Sequence, residues 1–146
     1  MALPPQKFRE AVFQMLYSQG FESSQEEDLI PFMMHELKTT RSAMAQAHAR
    51  AQAILAQLVE LDAQLAALST EYAVERISGV EKTILRLALF EMGHDASIPP
   101  KVAIAEAIRL CRKFGTPESA QFVNAILDKA FVRTKDVAST EKPISV

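Results

Sequence analysis

A chain of 146 residues is long enough for one compact domain to bury a core without disulfide or metal staples. Its apolar fraction of 49% and charged fraction of 23% fit a globular protein, and its single cysteine, Cys111, excludes an internal disulfide and argues against a thiolate zinc site. The net charge of −2 is uneven: residues 1–75 carry −5, residues 76–135 carry +4 and the remainder −1, so a polyanionic partner would favour the second half. Solvated helix faces explain that basic excess equally well.

No apolar run approaches the roughly 18 residues that span a bilayer. The opening "MALPPQKFRE" lacks the charged-then-apolar order of a secretory signal. A soluble protein of a reducing compartment, the cytoplasm, is expected.

Taken in chain order, almost every segment repeats at helical period and none alternates as a strand. Residues 7–19 place Phe8, Ala11, Val12, Met15 and Leu16 on one face, and Gly20 closes that helix. "SSQEEDLIPFMMHEL" then opens with a capping box, Ser24 to Glu27, with Glu26, Glu27 and Asp28 at the positive helix end. From Arg41 to Leu68 the residues Met44, Ala47, Ala51, Ile54, Leu58, Leu61, Leu65 and Leu68 form an unbroken seam. As one helix it would run about 40 Å. Packing inside the protein's own bundle is the primary reading, and an intermolecular coiled coil the secondary one.

Ser78 and Glu81 repeat the capping-box spacing ahead of Val80, Ile84, Leu85, Leu87, Ala88 and Phe90. A helix this apolar is central, and Arg86 within it needs a carboxylate or helix-end carbonyls, with Glu91 and Glu106 as candidate partners. "HDASIPPKVAIAEAIRLCRKFG" is a helix bracketed by two prolines and Gly115. Ile104, Ala107, Ile108 and Cys111 face inward; Lys101, Arg109, Arg112 and Lys113 face outward. The last helix begins near Thr116-Pro117 or Ser119 and carries Phe122, Val123, Ile126, Leu127, Ala130 and Phe131. After Lys135 the polar stretch "DVASTEKPISV" reads as a flexible tail. The sum is an all-α fold of about seven helices.

Catalytic constellations are missing from the pattern. His35, His48 and His94 fall on different elements without metal-ligand spacing, and Cys111 reads as a small buried hydrophobe. The four glycines build no phosphate-cradling loop. No catalytic residue, metal or cofactor is expected, and the protein reads as a non-enzyme.

The order of motifs resembles the NusB family of bacterial transcription antitermination factors. The carrying stretches are "FREAVFQMLYS" at 8–18, "LDAQL" at 61–65, "RISGVEKTILRLALFEM" at 76–92, "IPPKVAIAEAI" at 98–108 and "RKFGTPESAQFVNAILDKA" at 112–130. The resemblance covers residues 7–131 and implies one domain over 1–135. That domain would comprise two small, orthogonally packed helical bundles, 7–70 and 71–135, followed by a flexible tail at 136–146. It implies no catalysis. It implies pairing with the ribosomal protein NusE, and binding by that pair to single-stranded boxA leader RNA of ribosomal RNA operons. With other Nus factors, the complex would help RNA polymerase resist termination. The same domain occurs ahead of ribosomal RNA methyltransferases; no such segment follows here, which fits the freestanding factor.

Carried over residue by residue, the resemblance assigns RNA contacts to Lys7, Arg9 and Tyr17 and to Glu118, Ser119, Gln121, Phe122 and Asn124. In the family these two groups form one surface. It assigns the partner face to Tyr72, Glu75, Val80 and Glu81. Cations neutralise phosphates, while rings and amides suit unstacked bases. Phe122 fits a core position equally well, and Glu81 also completes the Ser78 cap. One departure stands out: the family's first helix opens with clustered arginines, whereas "PPQKFRE" retains only Lys7 and Arg9. Weak RNA binding by the isolated chain is therefore expected. Two alternatives are an interaction module of the same fold with weak or lost RNA binding, and a homodimer through the 41–68 seam.

Overall fold

The computed structural model describes residues 3–19, 40–70 and 73–141, the side chains at 19 and 134–141 excepted. The Ser24–Glu27 capping box, the helix expected after it and Tyr72 lie outside these residues. Among the described residues the fold is all-α, with six α-helices, one short 3₁₀ turn and no strand. They divide into two compact units, Met1–Glu60 and Leu61–Val146. The sequence reading drew that division after residue 70.

In the first unit, α1 (Pro5–Gln19) packs against α2 (Arg41–Leu55). Pro5 opens α1 without loss, because a first-turn N–H has no intrahelical acceptor. Phe8 N–H donates back to Pro4 O at 2.9 Å. Thr40 caps α2, its Oγ1 accepting from Ala43 N–H at 3.2 Å. Val12, Phe13 and Met15 of α1 are buried, as are Met44, Ala47, Ala51 and Ile54 of α2. The alanines leave room for close helix approach, and Arg50 lies 5.9 Å from the Phe8 ring centre.

The expected single helix over 41–68 is broken. α2 ends at Leu55 and α3 (Leu58–Leu68) begins after a two-residue turn. Gln57 N–H bonds to Ile54 O at 3.0 Å, the tighter i→i+3 pattern that ends a helix without glycine or proline. The seam itself is intact as a burial pattern: only Leu58 is half-exposed, and Leu61, Leu65 and Leu68 are at most 2% exposed. An intermolecular coil through this seam would have to unpack those leucines, so the homodimer reading loses its surface.

The second unit is built around α4 (Gly79–His94), which packs against α5 (Pro100–Phe114) and α6 (Pro117–Glu141). Ile84, Leu85, Leu87, Ala88 and Leu89 of α4 are all buried, as its near-complete apolarity required. Burial of each larger side chain stabilises by roughly 1.5–3 kcal/mol. Ala103, Ile104, Ala107, Leu110 and Cys111 of α5 meet Val123, Ile126, Leu127 and Ala130 of α6 in this core. Burial, and secondarily the Glu81 carboxylate, push the Cys111 thiol up to about 11. It stays protonated and unreactive at neutral pH.

Arg86 pairs with neither Glu91 nor Glu106. Its guanidinium meets Asp62 of α3 in a two-pronged contact, Nε–Oδ1 at 2.8 Å and Nη2–Oδ2 at 2.7 Å. Glu106 is taken by Arg109 one turn along, at 3.2 Å, and Glu91 stands five residues from Arg86, on another side of α4. The end of α3 is held from α6, where Lys129 reaches Leu68 O at 3.5 Å and Arg133 reaches Ala67 O at 3.3 Å. Both cations thereby sit at the negative end of the α3 dipole. α6 continues to Glu141, past Lys135 where a flexible tail was expected. No residue of "DVASTE" is a proline or glycine that would break the helix.

Candidate nucleic-acid interface

On α1, Lys7 is exposed and its ammonium lies 3.9 Å from Glu10, a loose pair. Arg9 is 7% exposed and Glu10 3%. Arg9 stands one turn before Val12 and Phe13, both buried, so helical period carries it inward. Its guanidinium is therefore not displayed as the resemblance implied. Tyr17 is half-buried, its ring stacked on Phe13 at 5.7 Å and 8° between planes.

In the second unit the joint between α5 and α6 turns at Gly115. Its φ of −117° lies outside the left-handed region, so the glycine is favoured by space. A Cβ there would lie 3.0 Å from Cys111 O and 3.2 Å from Ser119 Oγ. Gly115 N–H donates to that same Cys111 carbonyl at 2.8 Å. Thr116 then starts α6, its Oγ1 accepting from Ser119 N–H at 3.1 Å, with Pro117 in the first helical position. Ser119 is 6% exposed and its hydroxyl lies 3.1 Å from that of Thr116. Its role in the structure is to lock the cap, and it contributes little surface. Glu118 and Gln121 are exposed; Phe122 and Asn124 are half-buried.

Across from this joint, the 3₁₀ turn Val74–Arg76 leads into α4. Glu75 is exposed, and Val80 and Glu81 are half-buried. Ser78 Oγ accepts from Glu81 N–H at 3.2 Å and donates to Glu81 Oε1 at 3.0 Å. The cap thus exists, with the carboxylate binding the serine hydroxyl.

These elements enclose a cavity of about 230 Å³ lined by Arg76, Ile77, Glu81, Glu118 and Phe122. Residues that the resemblance split between a partner face and an RNA face therefore share one wall. Phe122 also borders a smaller cavity of about 120 Å³ with Ser69, Thr70 and Lys129. Its ring is a partition between two openings, which is why its sequence position suited both core and surface.

A model of the NusB family matches residues 6–131. The chain belongs to the NusB family. That family comprises transcription antitermination factors, not enzymes. The transcription antitermination protein NusB of Chlamydia pneumoniae is 34% identical over 143 residues, covering 98% of this chain and 88% of that protein. The solved structure of NusB from T. maritima superposes with a TM-score of 0.73 at 31% identity, over 88% of this chain and 91% of that one. A crystal structure of antitermination factors NusB and NusE in complex with dsRNA shares the fold, with a TM-score of 0.71 at 20% identity and coverage of 85% and 92%.

Arg76 and Ile77 of this NusB-family chain were missed as cavity residues, although they open the "RISG" stretch. They approach Phe122 from 46 and 45 positions away, a pairing no local spacing reveals. Among the described residues no cluster of histidine, cysteine and carboxylates suits a metal, and no helix is long and apolar enough to cross a membrane.

Proposed function

We propose that this protein pairs with the ribosomal protein NusE in the bacterial cytoplasm, and that the pair binds single-stranded boxA-type leader RNA of ribosomal RNA operons. Other Nus factors and RNA polymerase then complete a complex that resists termination. The observation that carries this reading is the shared cavity. Glu81, on the side proposed for the protein partner, adjoins Glu118 and Phe122, on the side proposed for RNA. A helical scaffold with that arrangement can hold two ligands in contact with each other without any reactive group.

Lys7, Tyr17, Gln121, Phe122 and Asn124 are proposed to meet the RNA. Lys7 and Gln121 are exposed and the others half-exposed. Glu75, Val80 and Glu81 are proposed to meet the protein partner, in company with Tyr72. Glu118 faces the boundary between the two. Because Arg9 is buried and Lys7 lies near Glu10, the first helix offers few phosphate contacts, and the isolated chain binds RNA weakly. That same observation favours the second reading, an interaction module that has lost RNA binding altogether.

Affinity purification of the tagged full chain from a bacterial lysate tests the pairing. Co-purification of the ribosomal protein, lost on Glu81→Lys, is the expected result. Failure to recover it from wild type would remove the reading.

A further inference from the structure

Neither Lys101 nor Arg112 belongs to the surfaces discussed so far, yet both are exposed on the outer side of α5. Eleven residues separate them, close to three full turns, so they share one face about 17 Å apart along the axis. Ala105, exposed, lies between them on that face. Glu106, the one acid within α5, is engaged by Arg109 at 3.2 Å, which leaves the row with a net positive charge. Lys113, exposed and 5.8 Å from the Phe114 ring centre, adds a cation on the adjoining side of α5. At its carboxy-terminal end the row opens into a third cavity, of about 360 Å³, lined by Arg112, Gly115, Thr116, Pro117, Ala120 and Gln121.

Helix electrostatics explain only part of this pattern. Arg112 and Lys113 occupy the last turn of α5, where cations offset the carbonyl end of the dipole. Lys101 occupies the first turn, where a cation opposes the dipole and no acid of that turn balances it.

We propose that the outer face of α5, from Lys101 to Arg112, is a phosphate track for single-stranded RNA, and that the nucleotide at its end sits in the Arg112–Gln121 cavity. The proposal rests on the RNA reading of the preceding section and extends it from Gln121 to Lys101 and Arg112, which that reading does not use. Arg112 offers a planar guanidinium that grips phosphate with two hydrogen bonds, while Lys101 acts as a point charge. The Gln121 amide can both donate to and accept from a base edge. The cavity is within the range of pockets that hold small molecules, roughly 300–1,000 Å³, so a nucleoside fits.

The test measures affinity of the full chain, with its ribosomal partner, for a fluorescein-labelled single-stranded boxA-type RNA between about 50 and 200 mM salt. Each phosphate contact removed should flatten the slope of log affinity against log salt by about 0.7. Lys101→Gln with Arg112→Gln should therefore flatten it by about 1.4, so that the affinity gap from wild type shrinks about sevenfold across the range. Arg112→Lys, which keeps the charge, should keep the slope. Phe122→Ala is the control: it should weaken binding with the slope unchanged. An unaltered slope in the double variant, with Phe122→Ala still weakening binding, overturns the track and leaves the RNA reading standing. Absence of RNA binding by the wild-type complex overturns both. Weaker capture of the ribosomal protein by the double variant, with RNA affinity unaltered, assigns the face to an acidic protein and also overturns the track.

Discussion

Replacing Phe122 by leucine separates two jobs that the ring performs in this structure: walling off cavities and presenting an aromatic face. Phe122 is half-buried and borders the cavities of about 230 and 120 Å³. Truncating a fully buried phenylalanine to alanine costs about 3–5 kcal/mol, so at half burial Phe122→Ala should cost roughly 1.5–2.5 kcal/mol. Leucine restores most of the apolar volume, and Phe122→Leu should stay within about 1.5 kcal/mol of wild type. Stacking of a base on the ring contributes about 1–3 kcal/mol, which leucine cannot supply. RNA affinity of the Phe122→Leu complex should then fall about 5- to 150-fold at constant salt. Urea unfolding gives the first quantity and fluorescence anisotropy with single-stranded RNA the second. RNA affinity within twofold of wild type, in a leucine variant that remains folded, would refute the stacking role and leave Phe122 as packing alone.

Four further outcomes are expected. Asp62→Ala should destabilise by about 1–2 kcal/mol in urea unfolding, between the values for exposed and buried pairs, because Arg86 and Asp62 are 25% and 34% exposed. Gly115→Ala should lower the thermal midpoint, since its Cβ meets a backbone carbonyl at 3.0 Å that cannot swing aside; overpacking of this kind costs about 1–3 kcal/mol. The Cys111 thiol is raised from 9.0 to about 11 by burial, so the fold favours its protonated form. That contribution, roughly 2–3 kcal/mol, is intact below pH 9 and lost as pH rises to about 11, and the wild-type minus Cys111→Ala stability difference should track it. Thr116→Ala should cost about 1 kcal/mol through loss of the α6 cap, measured by the same unfolding assay.

Features written within one or two helical turns were readable from residue types alone. The Ser78 cap, the proline and glycine that bracket α5, and the all-apolar α4 depend on neighbours three or four positions away. The 41–68 seam was readable as a buried stripe, but its break at Ala56 and Gln57 was not, because no glycine or proline marks it. Arg86 was expected to need a carboxylate or helix-end carbonyls, with Glu91 and Glu106 as candidates, yet its partner is Asp62, 24 residues earlier, where no periodicity points. Arg9 came to the RNA face through the resemblance, although Val12 and Phe13, one turn on, already place that side of α1 inward. Gln121 and Phe122 are proposed for RNA through the resemblance. The cavity that joins Phe122 to Arg76 and Glu81 exists only once three separate segments have folded together.

The most direct measurement is the affinity of one single-stranded boxA-type RNA for the full chain alone and for the chain saturated with the ribosomal protein, at identical salt. If the scaffold holds both ligands in contact, the partner should tighten RNA binding about 5- to 150-fold, and RNA should tighten partner binding by the same factor. Equal RNA affinity with and without a partner that demonstrably binds would contradict that coupling.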